Sequence, residues 1–257
     1  MTTVTERRST TGVVELRADG GTDGTIGKVG GLAIVYNRYS QNLGGFVELV
    51  EPGFVDRTIN TPGADVLARY QHDSDMLLGR TIADTLRLAS DEARGLDYEA
   101  DVPDTSYGRD LLTLVRRGDV RHSSFAFRTM TGGDRWDMTE DGTPLRILVR
   151  GGGKLVDVAP VVTPAYLDST SGLRSLAEQR GLDLDTVVKA AAHNELGELL
   201  RSKAPTHIDL GSASSGDGDA VDERDEDNGT AGPGPTHPAL AVRRRRLELL
   251  ERRDTPC

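Results

Sequence analysis

A mostly β domain with a few surrounding helices is the fold class this sequence predicts, and three features carry that reading. Between Ile26 and about Ala165, short apolar runs rich in β-branched and aromatic residues recur between Gly, Pro and Asp, as they do in sandwiches and barrels. Helical periodicity interrupts them in only a few places. The chain has 257 residues but only 36% hydrophobic and 4% aromatic content, so one compact domain plus a long solvated remainder is expected.

Residues 1–24 are polar and Gly-rich and are expected to be a flexible N-terminal segment, although TGVVELRA within them alternates like a strand. The compact domain is assigned to residues 25–175. Its strand candidates are KVGGLAIVYN, GFVELVEPGF, ADVLARYQHD, DTLRLAS, GLDYEADV, HSSFAFRTM, LRILV and KLVDVAPVV. Two segments break the pattern, PGFVDRTIN after Glu51 and YGRDLLTLVRRGDV from Tyr107. In the second, Leu111, Leu114 and Val115 share one helix face and Gly118 is a stop. Residues 176–204 carry helix-period apolar residues on a charged surface and predict one or two peripheral helices. Residues 205–238, rich in Gly, Ser, Pro and acids, have almost nothing to bury, so ordering them would cost entropy without return. Residues 239–257 set Leu240, Leu247 and Leu250 among arginines, a short basic amphipathic helix suited to docking on an acidic partner.

Composition also excludes function classes. The one cysteine, Cys257, has no partner for an internal disulfide, so an oxidising compartment is not indicated. No stretch approaches the roughly 20 apolar residues of a membrane span, and MTTVTERRST lacks the apolar core of a signal peptide. A net charge of -10 argues against a general nucleic-acid binder. The expected setting is cytosolic, with no membrane and no nucleic acid as partner.

Chemistry-bearing residues are few. His72 ends a buried run, LARYQH, where the chain turns polar, which is an address for a site residue on a rigid scaffold. Taken alone, it reads first as a hydrogen-bonded structural or surface histidine. HDSD has carboxylates for a metal, but no second His or Cys stands nearby, and neither a metal nor a cofactor is assigned. Ser123 and Ser124 sit in a strand, where neighbours face opposite sides, so only one can face a site. A serine becomes a nucleophile only with a base beside it and a group orienting that base.

Five stretches in order resemble the prohead, or capsid maturation, proteases of tailed bacteriophages. They are GLAIVYN at 31–37, VEPGFVDRTI at 50–59, YQHDSDMLLGR at 70–80, SFAFR at 124–128 and VDVAPVVTPAY at 156–166, and the resemblance covers roughly Gly27 to Ser175. It implies a fold like the β-barrel of the herpesvirus maturation proteases, and a serine endopeptidase with His72 as base and Ser124 as nucleophile. Asp157, inside an apolar strand, matches the family's acidic position and would orient His72; the other reading of it is an outward-facing edge residue. His122 is the rival third member, since the herpesvirus enzymes use a second histidine there; beside Ser123, it is expected to point away from Ser124's neighbours. Two departures stand out: Ala126 replaces a usual Gly, and Ala159-Pro160 replaces a Ser-aliphatic pair, the proline indicating an edge or bulge. Gly132 and Gly133, after the serine strand, are candidate sources of oxyanion-stabilising N–H groups. Asp134, Asp137 and Glu140 fall in a turn-rich segment and rank lower.

By the same resemblance the substrates are the scaffolding protein, or a scaffold-like extension of the major capsid protein, and the enzyme itself. The place of action is the assembling procapsid in the host cytoplasm, and homo-oligomerisation is admitted. The alternative is a non-catalytic assembly or scaffolding protein on the same fold, with the acidic and helical C-terminal region as its working part.

Overall fold

A computed structural model describes residues 4–21, 23–163 and 170–202. The acidic linker and basic C-terminal helix expected over 205–257 lie outside the described residues. In chain order the strands are β1 (Glu6–Asp19), β2 (Thr25–Val35), β3 (Val47–Val50), β4 (Leu67–Arg69), β5 (Leu77–Arg80), β6 (Leu86–Asp91), β7 (Gly95–Pro103), β8 (His122–Thr129), β9 (Asp134–Met138), β10 (Pro144–Leu148) and β11 (Gly153–Val161). The helices are α1 (Asp56–Ile59), α2 (Ser106–Arg117), α3 (Thr170–Arg180), α4 (Leu184–Ala192) and α5 (Leu196–Arg201).

Eight strands form one sheet in the order β5-β4-β11-β8-β1-β2-β7-β6. Its outer strands, β5 and β6, are joined by the short turn Thr81–Ala83, and the Asp101 N–H donates to Thr85 O at 2.9 Å. The sheet therefore curls into a nearly closed barrel, so the expectation of a mostly β, barrel-like domain with a few helices holds. Its interior is apolar, built on Ile34, Leu96, Phe125, Phe127, Leu155 and Val158. Helix α2 packs Leu111, Leu112 and Val115 against that core. Thr105 accepts from the Gly108 N–H to cap its start, and Gly118 at φ +80° ends it, as only a residue without Cβ does at little cost.

A three-stranded sheet, β3-β10-β9, lies beside the barrel. Helices α3 to α5 pack on it around a second core containing Phe46, Leu173, Leu176 and Val187. The expected one or two peripheral helices are thus three, starting at Thr170, and they bury their apolar faces in a core of their own. Asp134 and Asp137, expected in a turn-rich stretch, belong to β9, which is paired with β10 from Asp134↔Leu148 to Met138↔Pro144.

The largest correction concerns the N-terminus. Residues 6–19 are not a flexible lead; they form β1, between β8 and β2 near the middle of the sheet. Composition misled because the inward positions Glu6 and Arg8 are charged. Both are buried in an ion cluster: Arg8 donates to Glu6 (2.9 Å) and Glu48 (2.9 and 3.0 Å), and Arg146 donates to Glu6 (2.7 Å), Glu48 (3.0 Å) and Asp134 (2.6 Å). Burial pushes the Glu6 carboxyl up, but the two arginines outweigh it and hold it below its ordinary value. Burial also opposes the charges of Arg8 and Arg146, and again the carboxylates win, so both stay cationic.

Candidate functional site

The three residues singled out from the sequence meet on one face of the barrel wall. His72 follows β4 in a tight turn, Tyr70–His72, closed by the Asp73 N–H donating to Tyr70 O at 3.0 Å. Gln71 (φ 59°) and His72 (φ 58°) are both left-handed, a conformation that costs a residue with a side chain about 1–2 kcal/mol. Neighbours hold this turn in place: Gln71 Oε1 accepts from the Val162 N–H at 3.3 Å, and Asp73 Oδ1 from the Asp75 N–H at 2.9 Å. The imidazole projects over β8 and β11 as a result.

Asp157 reaches the same face through a bulge. In β11, Leu155 lies opposite Phe127, and Asp157 lies opposite Ala126, so Val156 is an extra residue. Directly opposed residues point the same way. Without the bulge, Asp157 would follow Leu155 into the apolar interior; with it, Asp157 shares the face of Ala126 and Ser124. The irregularity sits at Val156 and not at Pro160. Pro160 is tolerated because the pairing of β4 with β11 ends at Ala68↔Val158, leaving no β4 partner beside it.

His72 Nδ1 and Asp157 Oδ1 are 2.5 Å apart, and His72 Nε2 and Ser124 Oγ are 2.7 Å apart. With a carboxylate on Nδ1, the neutral ring carries its proton there and presents a lone pair at Nε2. Arg69, at the end of β4, donates to Asp157 Oδ2 at 3.3 Å. Sequence reasoning missed Arg69, and only its place three residues before His72 marks it. All three groups are buried: Ser124 is 0% exposed, Asp157 2% and His72 8%.

The neighbouring serine is set differently. Ser123, also 0% exposed, points into the barrel and donates to the hydroxyl of Tyr98 at 3.4 Å. Gly31 makes room for it, since a Cβ there would lie 3.0 Å from Ser123 Oγ and 2.4 Å from Val13 O. Strand alternation puts His122 on the Ser124 face, contrary to the expectation that it points away, yet the place beside His72 Nδ1 is taken by Asp157. Gly132 and Gly133 are not brought to Ser124. Their loop lies beyond the end of β8, some 20 Å along the strand at about 3.3 Å per residue, and the Gly133 N–H donates to Met130 O at 2.8 Å.

Ser124 Oγ also lies 2.9 Å from the main-chain carbonyl of Arg8 on β1, a second acceptor between which and His72 Nε2 its one proton can choose. A cavity of about 550 Å³ does not include the three residues; it is lined among others by Ser9, Thr10, Tyr39, Arg121 and His122. Among the described residues, no group of three or more His, Cys, Asp or Glu is arranged to hold a metal ion, and no helix is long and apolar enough to cross a membrane. Chemically, a carboxylate, an imidazole and a hydroxyl in hydrogen-bonded sequence can raise the nucleophilicity of the hydroxyl by removing its proton during attack.

A family model described as caudovirus prohead serine protease matches residues 13–180 of this chain. A solved structure, that of the bacteriophage T4 capsid assembly protease gp21, is similar to it at 14% identity and a TM-score of 0.41, over 63% of this chain and 97% of its own. No curated protein matches significantly.

Proposed function

The chain belongs to the caudovirus prohead serine protease family, and we propose that it is an active endopeptidase in which Ser124 is the nucleophile, His72 the general base and Asp157 the group that orients the base. The observation that carries this reading is the unbroken line Asp157–His72–Ser124, with links of 2.5 and 2.7 Å. Ser124 Oγ attacks a peptide carbonyl as its proton passes to His72 Nε2. The imidazolium, steadied by Asp157, returns that proton to the leaving amine. An acyl-enzyme on Ser124 is then hydrolysed by water, with His72 again as base. Arg69 holds the second oxygen of Asp157 and keeps the carboxylate turned toward the ring.

The substrates we propose are the scaffolding protein, or a scaffold-like extension of the major capsid protein, and the chain itself, with cleavage taking place inside the assembling procapsid. A non-catalytic assembly protein on the same fold would have no use for a carboxylate, imidazole and hydroxyl held in line by a bulge and two left-handed residues. The test is co-expression with its capsid and scaffold partners, wild type against Ser124→Ala, with intact mass measured for every chain. Truncated capsid or scaffold chains with wild type, and full-length ones with Ser124→Ala, are expected. Identical masses in the two cultures contradict the reading.

A further inference from the structure

The cavity of about 550 Å³ has a buried lining that is apolar, apart from one ion pair, and an exposed lining that is cationic. Ile34, Leu43, Val50 and Phe125 make up the apolar part, each no more than 9% exposed. Val13 and Tyr39 stand at its mouth at 56% and 58% exposure, two of the three most exposed large apolar side chains among the described residues. Apolar surface left open beside a cavity marks a place where something binds. The charged groups of the lining are Arg8, Arg38, Arg121 and Glu48, three cations against one carboxylate. Glu48 is already held by Arg8 and Arg146 in the ion cluster. Arg38 and Arg121 are exposed and have no ion-pair partner among the described residues, in a chain whose net charge is -10.

The loop that carries Arg38 and Tyr39 is held by its own bonds. Tyr39 bridges to Leu49 on β3, the Ser40 N–H donates to Glu48 O at 2.8 Å, and Asn42 Oδ1 accepts from the Gly44 and Gly45 N–H groups at 2.9 and 2.7 Å. Leu43 then enters the second core with Val187 of α4 and Leu196 of α5, two helices that lie past the end of the family match at residue 180. A ligand entering this cleft therefore meets a loop already ordered, and loses little affinity to arranging it. Register places the cleft close to the catalytic face. Ser9, in its lining, is the cross-strand neighbour of Ser124, and His122, also in its lining, precedes Ser124 by two residues on the same face of β8, about 7 Å along the strand at about 3.3 Å per residue. One chain can thus fill the cleft and reach Ser124 with another of its segments.

We propose that this cleft is a docking site for an acidic segment of the protein substrate, held apart from the bond that is cut. A large apolar side chain of that segment fills the apolar lining, and carboxylates on either side of it pair with Arg38 and Arg121. That the bound chain is a substrate rests on the protease reading; that it binds does not. The test uses the full chain carrying Ser124→Ala, so that nothing bound is cut, and follows the fluorescence anisotropy of a labelled peptide of glutamates around a single leucine. Saturable binding is expected, weakened tenfold or more when Arg38→Glu and Arg121→Glu are introduced together. Both arginines are exposed, and an unchanged thermal unfolding midpoint establishes that the fold is kept. Replacing the peptide's leucine by alanine asks the same question with the protein untouched, and should also weaken binding tenfold or more. No saturable binding to the parent chain, or affinities within about twofold after the charge reversal, overturns the docking site. A response to charge with none to the leucine overturns the cleft and leaves attraction by surface charge alone. Fluorophosphonate labelling of wild type tests the protease reading separately: without an adduct on Ser124, the peptide loses its standing as a substrate whatever its affinity.

Discussion

Ser123 and Ser124 are adjacent, equally buried and of identical chemistry, yet the two faces of β8 give them different surroundings. Ser123 faces an apolar barrel, where its hydroxyl donates to that of Tyr98, itself held neutral because burial pushes its ionisation far up. Ser124 faces an imidazole backed by a carboxylate. Burial therefore says nothing about role here; the partner does. The strand supplies the contrast at no extra cost, because a period of two sends neighbours to opposite sides.

That contrast can be attacked from the Ser124 side first. On the proposed mechanism, His72→Ala removes the base and should reduce turnover on a peptide substrate on the order of 10⁶-fold, comparable to loss of the nucleophile itself. Steady-state kinetics on the two variants side by side checks this. Asp157→Asn keeps the shape of the triad while depriving His72 of its anionic partner, and a loss of roughly 10⁴-fold is expected, mostly in kcat.

The Ser123 side should respond far less. Ser123→Ala deprives Tyr98 of one long hydrogen bond and should cost about 1 kcal/mol of stability, read by thermal unfolding, with turnover close to wild type. Smallest of all is a stability effect at the base of the same strands. The Glu6 carboxyl has a folded value below 4.5, so its contribution is complete above that pH and is lost as pH falls through the folded value. Unfolding midpoints measured from neutral pH down to pH 3 should drop at the acid end in wild type and drop less in Glu6→Gln.

How much of this was legible in the sequence depended on whether the signal was local. The strands of β2, β7, β8 and β11 announced themselves by apolar and β-branched runs, and α2 by Leu111, Leu114, Val115 and Gly118. His72, Ser124 and Asp157 were found through ordered motifs, and the structure brings their side chains together. Strand β1 was misread as a flexible segment because its inward residues are Glu6 and Arg8, which become buriable only when Glu48 and Arg146 arrive from 40 or more residues away. No window on the sequence contains that pairing. The face of Asp157 was equally hidden, since it turns on one extra residue, Val156, whose presence shows only against β8. Arg69 and the Arg8 carbonyl were missed for a related reason: an arginine beside an aromatic and a main-chain oxygen carry no motif.

The central claim is that Ser124, and not its neighbour, is the activated nucleophile, and the site of covalent modification tests it most directly. The full chain is exposed to excess fluorophosphonate until labelling stops, digested, and the peptide spanning 122–128 is sequenced by fragmentation. The account predicts one adduct, on Ser124, that persists in Ser123→Ala and disappears in both Ser124→Ala and His72→Ala. An adduct on Ser123, or labelling that survives in Ser124→Ala, would contradict it.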